Sequence, residues 1–294
     1  MGQVPLPSPM SESAPIFFDS HMHTPLCKHA EGHPALYMEH GVAQGLVGII
    51  MTCHSPMPDG FSSRVRMAPE QFREYLALVS EAAEAAPEGF EVLLGMESDF
   101  FPGMEDWLRE LHGRAEFHYI LGSVHWHIGE YIDAFWHGDP FAFQKQYFEH
   151  LAESAESGLF DCLAHPDLVK NASPADWDFD RIRPYVKRAL DRIAETGVAM
   201  EINTSGRNKS FPEMNPGPGM LALMAERGIP VVIGSDSHTP TRVGDGFHDA
   251  LDWLEAAGYE TVSVFRERQR RDLDIAAVRA SVAPAEVSGA FGRD

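Results

Sequence analysis

A continuous apolar run that ends in two candidate ligands occurs near the end of the chain, in the stretch Ile229-Pro230-Val231-Val232-Ile233-Gly234-Ser235-Asp236-Ser237-His238. An apolar run without alternation is typical of a strand that is buried on both faces, as in a parallel sheet covered by helices. Asp236 and His238 are two residues apart, so an extended chain presents both side chains on the same side. The same combination of a buried strand and terminal polar residues recurs along the sequence.

Short apolar runs bounded by turn residues predict seven strands: Ile16–Ser20, Val47–Thr52, Glu91–Met96, His118–Val124, Phe160–Ala164, Val198–Asn203 and Pro230–Ser235. Helical periodicity is found between them, over Pro34–Gln44, Pro69–Ala86, Phe141–Ser157, Asp178–Thr196, Gly219–Arg227 and Gly246–Ala256. Alternation of this kind favours parallel strands joined by right-handed crossovers. Either an open doubly wound sheet or a closed barrel satisfies it.

Candidate ligands follow nearly every predicted strand, and this distinguishes the two architectures. In chain order they are His21 and His23, His54, Glu97, His125, His165, and Asp236 with His238. A closed barrel brings all its strand ends around one mouth, whereas an open sheet spreads them along an edge. We therefore predict an α/β barrel with a metal site at its mouth. His29 lies in the loop after the first strand and is expected to reach back over that mouth.

Composition limits the classes of partner. The chain has 294 residues, and 44 acidic residues against 23 basic ones give a formal charge of −21, which repels nucleic acid. No stretch approaches the roughly 20 apolar residues that span a bilayer, so no membrane association is predicted. A small-molecule substrate is the remaining expectation, and the oligomeric state is not predicted.

Domain organisation is predicted to be simple. Residues 1–14 are rich in Pro and Ser and are interpreted as a flexible leader, and residues 15–294 as a single barrel domain. Three cysteines form a sparse, odd-numbered set, which favours a reducing compartment and a cytoplasmic location. The segment after Tyr259, with its charged residues 266–271, is interpreted as a solvated surface element.

Three segments resemble the histidinol-phosphate phosphatases of the PHP (polymerase and histidinol phosphatase) superfamily: residues 19–32 (DSHMHTPLCKHAEG), 201–206 (EINTSG) and 234–240 (GSDSHTP). The resemblance extends from Ile16 to about Ala256. It implies a distorted (β/α)7 TIM-like barrel that carries three divalent metal ions, which are zinc, manganese or iron. It also implies hydrolysis of L-histidinol phosphate to L-histidinol and phosphate in histidine biosynthesis.

The resemblance further implies how the ligands are shared among the ions. It assigns to the first ion His21, His23, Glu97 and Asp236. It makes Glu97 a bridge to a second ion that also takes His125 and His165. It assigns to the third ion His29, His54 and His238. Glu97, Asp236 and His238 are also the expected catalytic residues.

A mechanism follows from this site, because a phosphate monoester dianion repels hydroxide unless positive charge intervenes. We expect a hydroxide that bridges two metal ions to attack phosphorus in line at a trinuclear site. Arg207, Lys209 and Arg242 are the basic residues nearest the motifs and are predicted to bind the phosphate. His127 is the candidate donor of a proton to the leaving alkoxide. Family members often place the arginine after the sixth strand one position later than Arg207.

Three alternatives remain open. The first is another phosphatase or phosphodiesterase of the same superfamily, acting on nucleotides or other small phosphoesters. The second is a metal-binding barrel without catalysis, which the full ligand set argues against. The third is a metal-dependent hydrolase of C–N bonds, but such sites usually carry a lysine where this chain has His125. Cys27 and Cys53, close to the proposed ligands, are interpreted as packing residues.

Overall fold

A computed structural model describes residues 16–282 of the chain, and a seven-stranded parallel sheet forms its centre. The strands follow one another in chain order as β1 Phe18–Asp19, β2 Gly48–Met51, β3 Glu91–Asp99, β4 Tyr119–Ser123, β5 Cys162–Leu163, β6 Ala199–Asn203 and β7 Val231–Gly234. All six neighbouring pairs are parallel. The seven predicted strands are confirmed.

The sheet closes into a barrel just beyond the ends of its first and last strands. Met22 and Ser237 form a parallel bridge. The His23 N–H donates to the Ser237 carbonyl at 2.9 Å, and the Ser237 N–H donates to the His21 carbonyl at 3.1 Å. Because this contact joins the segments after β1 and β7, the predicted distorted (β/α)7 barrel is confirmed, with its narrow seam at the ligand-bearing mouth.

Helices surround the barrel. Their bounds in the described residues are α1 Pro34–Ala43, α2 Phe72–Glu84, α3 Glu105–His112, α4 Gly129–Phe135, α5 Pro140–Glu156, α6 Phe179–Thr196, α7 Pro218–Ala225, α8 Phe247–Ala257 and α9 Ile275–Ser281. The two longest helices begin at aspartates, since the side chains of Asp139 and Asp178 accept hydrogen bonds from the first free N–H groups. Gly197 ends α6 with φ of 74°, a left-handed conformation that glycine adopts without steric cost.

Two apolar layers follow from the inward and outward alternation of the strands. The outer layer packs the strands against the helices and includes Ile49, Met51 and Ile233. The inner layer fills the barrel with residues such as Ile50, Leu121 and Val232. Both layers are buried, which explains why the strands read as continuous apolar runs.

An antiparallel hairpin, β8 Thr261–Arg266 and β9 Gln269–Asp274, was not predicted from the sequence. Phe265 joins the inner layer, and its ring stacks on Tyr119 with centroids 5.2 Å apart. The Arg268 N–H donates to the carbonyl of His118, immediately before β4. The hairpin therefore covers the amino-terminal end of the barrel, opposite the candidate site.

The remaining expectations concern membrane spans, the state of the cysteines and the domain organisation. None of the helices between residues 16 and 282 is long and apolar enough to cross a membrane. The three cysteines, Cys27, Cys53 and Cys162, are buried and unpaired. The predicted leader, residues 1–14, lies outside the described residues, and the division into one domain stays a prediction.

Candidate active site

The end of β1 brings two imidazoles into the barrel mouth. His21 and His23 are fully buried on either side of Met22, the residue that closes the barrel. His21 Nε2 lies 3.4 Å from Glu97 Oε2, and His23 Nε2 lies 3.5 Å from the same oxygen. The period of an extended chain thus places both rings against one carboxylate, as the spacing predicts.

Glu97, near the end of β3, is the centre of the cluster. Its Oε1 faces His165 Nε2 at 3.0 Å and His125 Nε2 at 3.3 Å. Its Oε2 faces His54 Nδ1 at 2.7 Å, in addition to the two imidazoles of the first strand. The two oxygens therefore face separate groups of ring nitrogens, which is the arrangement expected of a carboxylate that bridges two cations.

Asp236 follows β7 and faces the same two imidazoles, His21 and His23, as Glu97 does. Its Oδ1 is 3.2 Å from His23 Nε2 and 3.7 Å from His21 Nε2. Its φ is 49°, a left-handed conformation that costs a non-glycine residue on the order of 1 kcal/mol or more. The backbone is held there by the barrel seam, and the hydroxyl of Ser205 donates to Asp236 Oδ2 at 2.9 Å. This strain orients the carboxylate towards the histidines.

His29 and His238 form a second group at the outer edge of the mouth. Their Nε2 atoms face each other at 2.9 Å. The remaining ring nitrogens are directed to backbone carbonyls, that of Cys27 for His29 at 2.7 Å and that of Asp236 for His238 at 3.1 Å. The loop after β1 therefore brings His29 back over the mouth, as the sequence predicts.

The structure brings all nine predicted ligands to one mouth, with one difference in how they are grouped. The four predicted ligands of the first ion face one another, as do the three of the second. His54, predicted to share an ion with His29 and His238, instead directs Nδ1 to Glu97. Two candidate groups contain it, one with His23 and His238 and the other with Glu97 and His125. His54 therefore lies beside Glu97 in the middle of the cluster, and not only beside His238 at its outer edge.

The donor set fits divalent cations. Among the described residues, buried atoms without a hydrogen-bond partner include His21 Nε2, both ring nitrogens of His23, His54 Nδ1 and Glu97 Oε2. The last two lie 2.7 Å apart but without the geometry of a hydrogen bond. Leaving such groups buried and unpaired costs roughly 1–3 kcal/mol each. Ligand atoms about 2.1 Å from a tetrahedral zinc ion are about 3.4 Å apart. Six contacts of Glu97 and Asp236 with His21, His23, His125 and His165 lie between 3.0 and 3.7 Å and are close to that spacing. The contact of Glu97 with His54, at 2.7 Å, is shorter.

A layer of carboxylates behind the ligands orients two of the imidazoles. Glu201 accepts from His21 Nδ1 at 2.7 Å, and Asp99 faces His125 Nδ1 at 2.9 Å. In turn, Arg66 Nη2 donates to Asp99 Oδ2 at 2.5 Å, and Arg66 Nη1 donates to the Ser55 carbonyl at 2.9 Å. Such partners fix which ring nitrogen carries the proton and leave Nε2 free to bind a cation.

Asp99 and Arg66 were not predicted from the sequence as parts of the site. A signal for Asp99 was present, since it lies two residues after Glu97 and an extended strand places both on one face. Arg66 lies in a loop far from any motif, and its burial at 1% exposure is evident only from the structure.

Charge complementarity sets the protonation of the cluster. Burial alone would raise the pKa of Glu97, but the surrounding imidazoles, led by His54 and His21, hold it well below its usual range. Burial would lower the pKa of His125, but Asp99 and Glu97 raise it to about 9. The carboxylates are therefore ionised at neutral pH and available as ligands.

A cavity of about 330 Å³ opens onto the cluster. Seven of the nine predicted ligands line it, together with His127, Leu168 and Lys209. Lys209 Nζ is 3.8 Å from Asp236 Oδ2. Two of the four predicted substrate-binding residues, His127 and Lys209, thus lie at the cavity.

Arg207 and Arg242, also predicted to bind the phosphate, do not line this cavity. Arg207 is paired with Asp249 and with Asp245, at 3.2 Å from the latter, and Arg242 Nη2 is 3.2 Å from the same Asp245. Asp245, just before α8, and Asp249, in its first turn, pair with these guanidinium groups away from the residues that line the cavity. Arg207 is also the arginine that stands one place early in the motif.

Comparisons with known proteins agree with the fold and the site. A model of the PHP domain family matches residues 19–205. The chain is 37% identical to a probable histidinol-phosphatase from Deinococcus radiodurans, over 85% of this chain and 97% of that protein. It is 25% identical to the histidinol-phosphatase of Bacillus subtilis, over 80% and 98% of the two chains.

A solved structure shares the fold. The histidinol phosphate phosphatase from Lactococcus lactis, crystallised with zinc, L-histidinol and phosphate, aligns with a TM-score of 0.72. Its sequence is 20% identical, and the alignment covers 87% of this chain and 98% of that one.

Proposed function

Since the chain belongs to the PHP domain family, we propose that it hydrolyses L-histidinol phosphate to L-histidinol and phosphate. The observation that carries this proposal is the convergence of imidazoles and carboxylates from six strand ends at one barrel mouth. The names of the relatives and the zinc, histidinol and phosphate in the Lactococcus lactis complex support the same substrate. A place in histidine biosynthesis follows from that substrate.

Nine side chains are proposed to hold three divalent ions, which are zinc, manganese or iron: His21, His23, His29, His54, Glu97, His125, His165, Asp236 and His238. Imidazole and carboxylate ligands suit all three metals, and zinc is the ion in the Lactococcus lactis complex. When bound, such ions supply positive charge for the phosphate oxygens and a hydroxide nucleophile at neutral pH.

The chain itself contributes positioning and charge. Glu97 and Asp236 orient the ligand set and His238 closes its outer edge, which is the basis for assigning these three residues to catalysis. Lys209 places its ammonium group at the cavity beside Asp236, where a phosphate oxygen can accept from it. Leu168 contributes a hydrophobic side chain to the wall of the cavity.

His127 is proposed to donate a proton to the leaving alkoxide. It lines the same cavity, and its ring lies 5.3 Å from that of His125. Hydrolysis of the ester releases an alcohol, so a proton must reach the ester oxygen. Burial and the neighbouring charge of His125 lower the pKa of His127 to about 3, so its imidazole must take up a proton within the site before it donates one.

Phosphate release tests the proposal. The zinc- or manganese-loaded protein is expected to hydrolyse histidinol phosphate with a kcat/KM at least about tenfold above that for any nucleoside monophosphate or diester. A preference for a nucleotide would overturn the substrate assignment and support the alternative within the same family. Undiminished turnover by Asp236→Ala would contradict the proposed site.

A further inference from the structure

Two buried cysteines lie directly behind the histidine cluster. Cys27 follows β1 and Cys53 follows β2, and both are fully buried, as is His23 beside them. We propose that His23, Cys27 and Cys53 form a separate site for a thiophilic d10 cation such as zinc or cadmium. This sulfur site shares His23 with the proposed carboxylate-bearing site, and Cys27 also lies within 4.8 Å of ligand atoms of His29 and His238.

The three side chains have the spacing that a compact metal site requires. Both sulfurs and one ring nitrogen of His23 lie within 4.8 Å of one another. A tetrahedral ion with bonds of about 2.3 Å to sulfur and about 2.0 Å to nitrogen separates its ligand atoms by about 3.4 to 3.8 Å. Small side-chain movements therefore suffice to bring all three atoms onto one ion.

His23 has a nitrogen to spare for this site. Its Nε2 faces Asp236 and Glu97, while its Nδ1 is buried without a hydrogen-bond partner among the described residues. The equivalent nitrogens of His21 and His125 face Glu201 and Asp99. Since Nε2 faces the two carboxylates, Nδ1 is the nitrogen of His23 that remains available to the two sulfurs.

Thr24 fixes the sulfur of Cys53. Its hydroxyl donates to Cys53 Sγ at 3.2 Å and its N–H at 3.5 Å, while its carbonyl, 3.6 Å away, can accept the thiol proton. These contacts fix the position of the Cys53 sulfur beside Cys27 and His23. Binding of a cation displaces the thiol proton and gives the thiolate that ligates the metal. Thiolates select soft cations over manganese or magnesium.

Occupation of the sulfur site changes the neighbouring one. The cation replaces the protons of both thiols, and a neutral imidazole that binds through Nδ1 carries its proton on Nε2. That proton is directed towards Asp236 Oδ1, 3.2 Å away, and Nε2 can then no longer bind a cation. The two sites therefore compete for His23, and a soft cation displaces a harder one from the carboxylate side.

Cadmium is a suitable probe because its bonds to thiolate absorb in the near ultraviolet. We expect one equivalent of cadmium, added to the manganese-loaded protein, to produce this absorption. Cys27→Ser and Cys53→Ser should each abolish it. Cys162→Ser is the matched control and should retain it, since Cys162 is equally buried but lies in the inner layer of the barrel.

Absence of the absorption in the wild type, or its persistence in both Cys27→Ser and Cys53→Ser, would overturn the proposal. Cadmium-113 NMR of the unaltered protein decides the matter if those variants do not fold. A resonance in the range of sulfur-ligated cadmium supports the site, and resonances only in the range of nitrogen and oxygen ligation contradict it. Neither readout depends on hydrolysis, so the outcome is separate from that of the proposed function.

Discussion

At the scale of single residues, the orientation of His125 depends on a buried arginine. Arg66 pairs with Asp99, and Asp99 faces His125 Nδ1. Removing the guanidinium leaves Asp99 without its main partner, so that its carboxylate can turn away from the imidazole. Partners of this kind typically contribute 10- to 100-fold to metal affinity, so we expect a loss of about that size in Arg66→Met.

The measurement is the metal affinity and stoichiometry of the purified protein by calorimetry. Arg64→Met is the matched control, because it removes the same charge from an exposed residue two positions earlier. If Arg66 acts through Asp99, adding Arg66→Met to Asp99→Asn should produce little further loss. An affinity equal to that of the wild type in Arg66→Met would refute this role.

Two basic residues of one loop differ in their expected effect on substrate binding. Lys209 lines the cavity, whereas Arg207 is paired with Asp245 and Asp249. A hydrogen bond to a charged group contributes about 1.5 to 3 kcal/mol, so Lys209→Met should lower kcat/KM for histidinol phosphate roughly 10- to 100-fold. Arg207→Met should change it less than about threefold. Steady-state kinetics of both variants would show the reverse order if Arg207 is the phosphate ligand.

The ligands could be predicted from sequence because each is tied to a strand end, and the period of an extended chain fixes its direction. His29 is the exception, since it lies in a loop and entered the ligand set only through the family resemblance. His54 is directed towards Glu97, and Arg207 is paired with Asp245 and Asp249. Both contacts join residues that are distant in sequence. No local pattern encodes those contacts, so they required the structure.

At the scale of elements, the C-terminal hairpin closes the barrel at the end opposite the site. Phe265, 7% exposed, stacks on Tyr119 inside the barrel. Truncating a buried phenylalanine typically costs about 3 to 5 kcal/mol, so Phe265→Ala should lower the free energy of unfolding by about that amount. Phe265→Leu, which preserves most of the volume, should cost clearly less. Denaturant unfolding measures both.

Metal content distinguishes this structural role from an effect on the site. Because the hairpin lies at the other end of the barrel, the folded Phe265→Ala protein should retain the metal stoichiometry of the wild type. Loss of metal without loss of stability would show that the hairpin supports the site instead.

The hairpin itself escaped prediction from sequence for a physical reason. The middle of β8 is buried, but almost all of β9 is exposed, and its charged residues match the pattern of a solvated segment. A strand that buries neither face through its own side chains gives no periodic signal. The barrel strands, buried on both faces, were instead predicted from their continuous apolar runs.

At the scale of the whole molecule, buried neutral histidines limit stability in acid. His150 is buried, its Nδ1 is 2.8 Å from the Tyr131 hydroxyl, and burial lowers its pKa to about 4. The unfolded chain, with a histidine pKa of about 6.5, therefore binds more protons than the folded one between pH 6.5 and 4. Stability due to this group is complete above about pH 6.5 and is lost as the pH falls.

We expect His150 to account for a loss of about 2 kcal/mol between pH 7 and pH 5. Urea unfolding at both pH values should therefore show a smaller loss for His150→Gln than for the wild type, by about that amount. Comparing the two proteins at each pH cancels the contribution of the other titrating groups. Equal losses in both would show that His150 remains unprotonated in the unfolded chain or is not neutral in the fold.

The convergence of nine side chains on a cluster of divalent cations is tested most directly by anomalous diffraction from crystals grown with zinc or manganese. The predicted result is three peaks at the barrel mouth, with Glu97 between two of them and Asp236, His21 and His23 around one. A map without peaks there, in crystals whose protein hydrolyses histidinol phosphate, would contradict the proposed site.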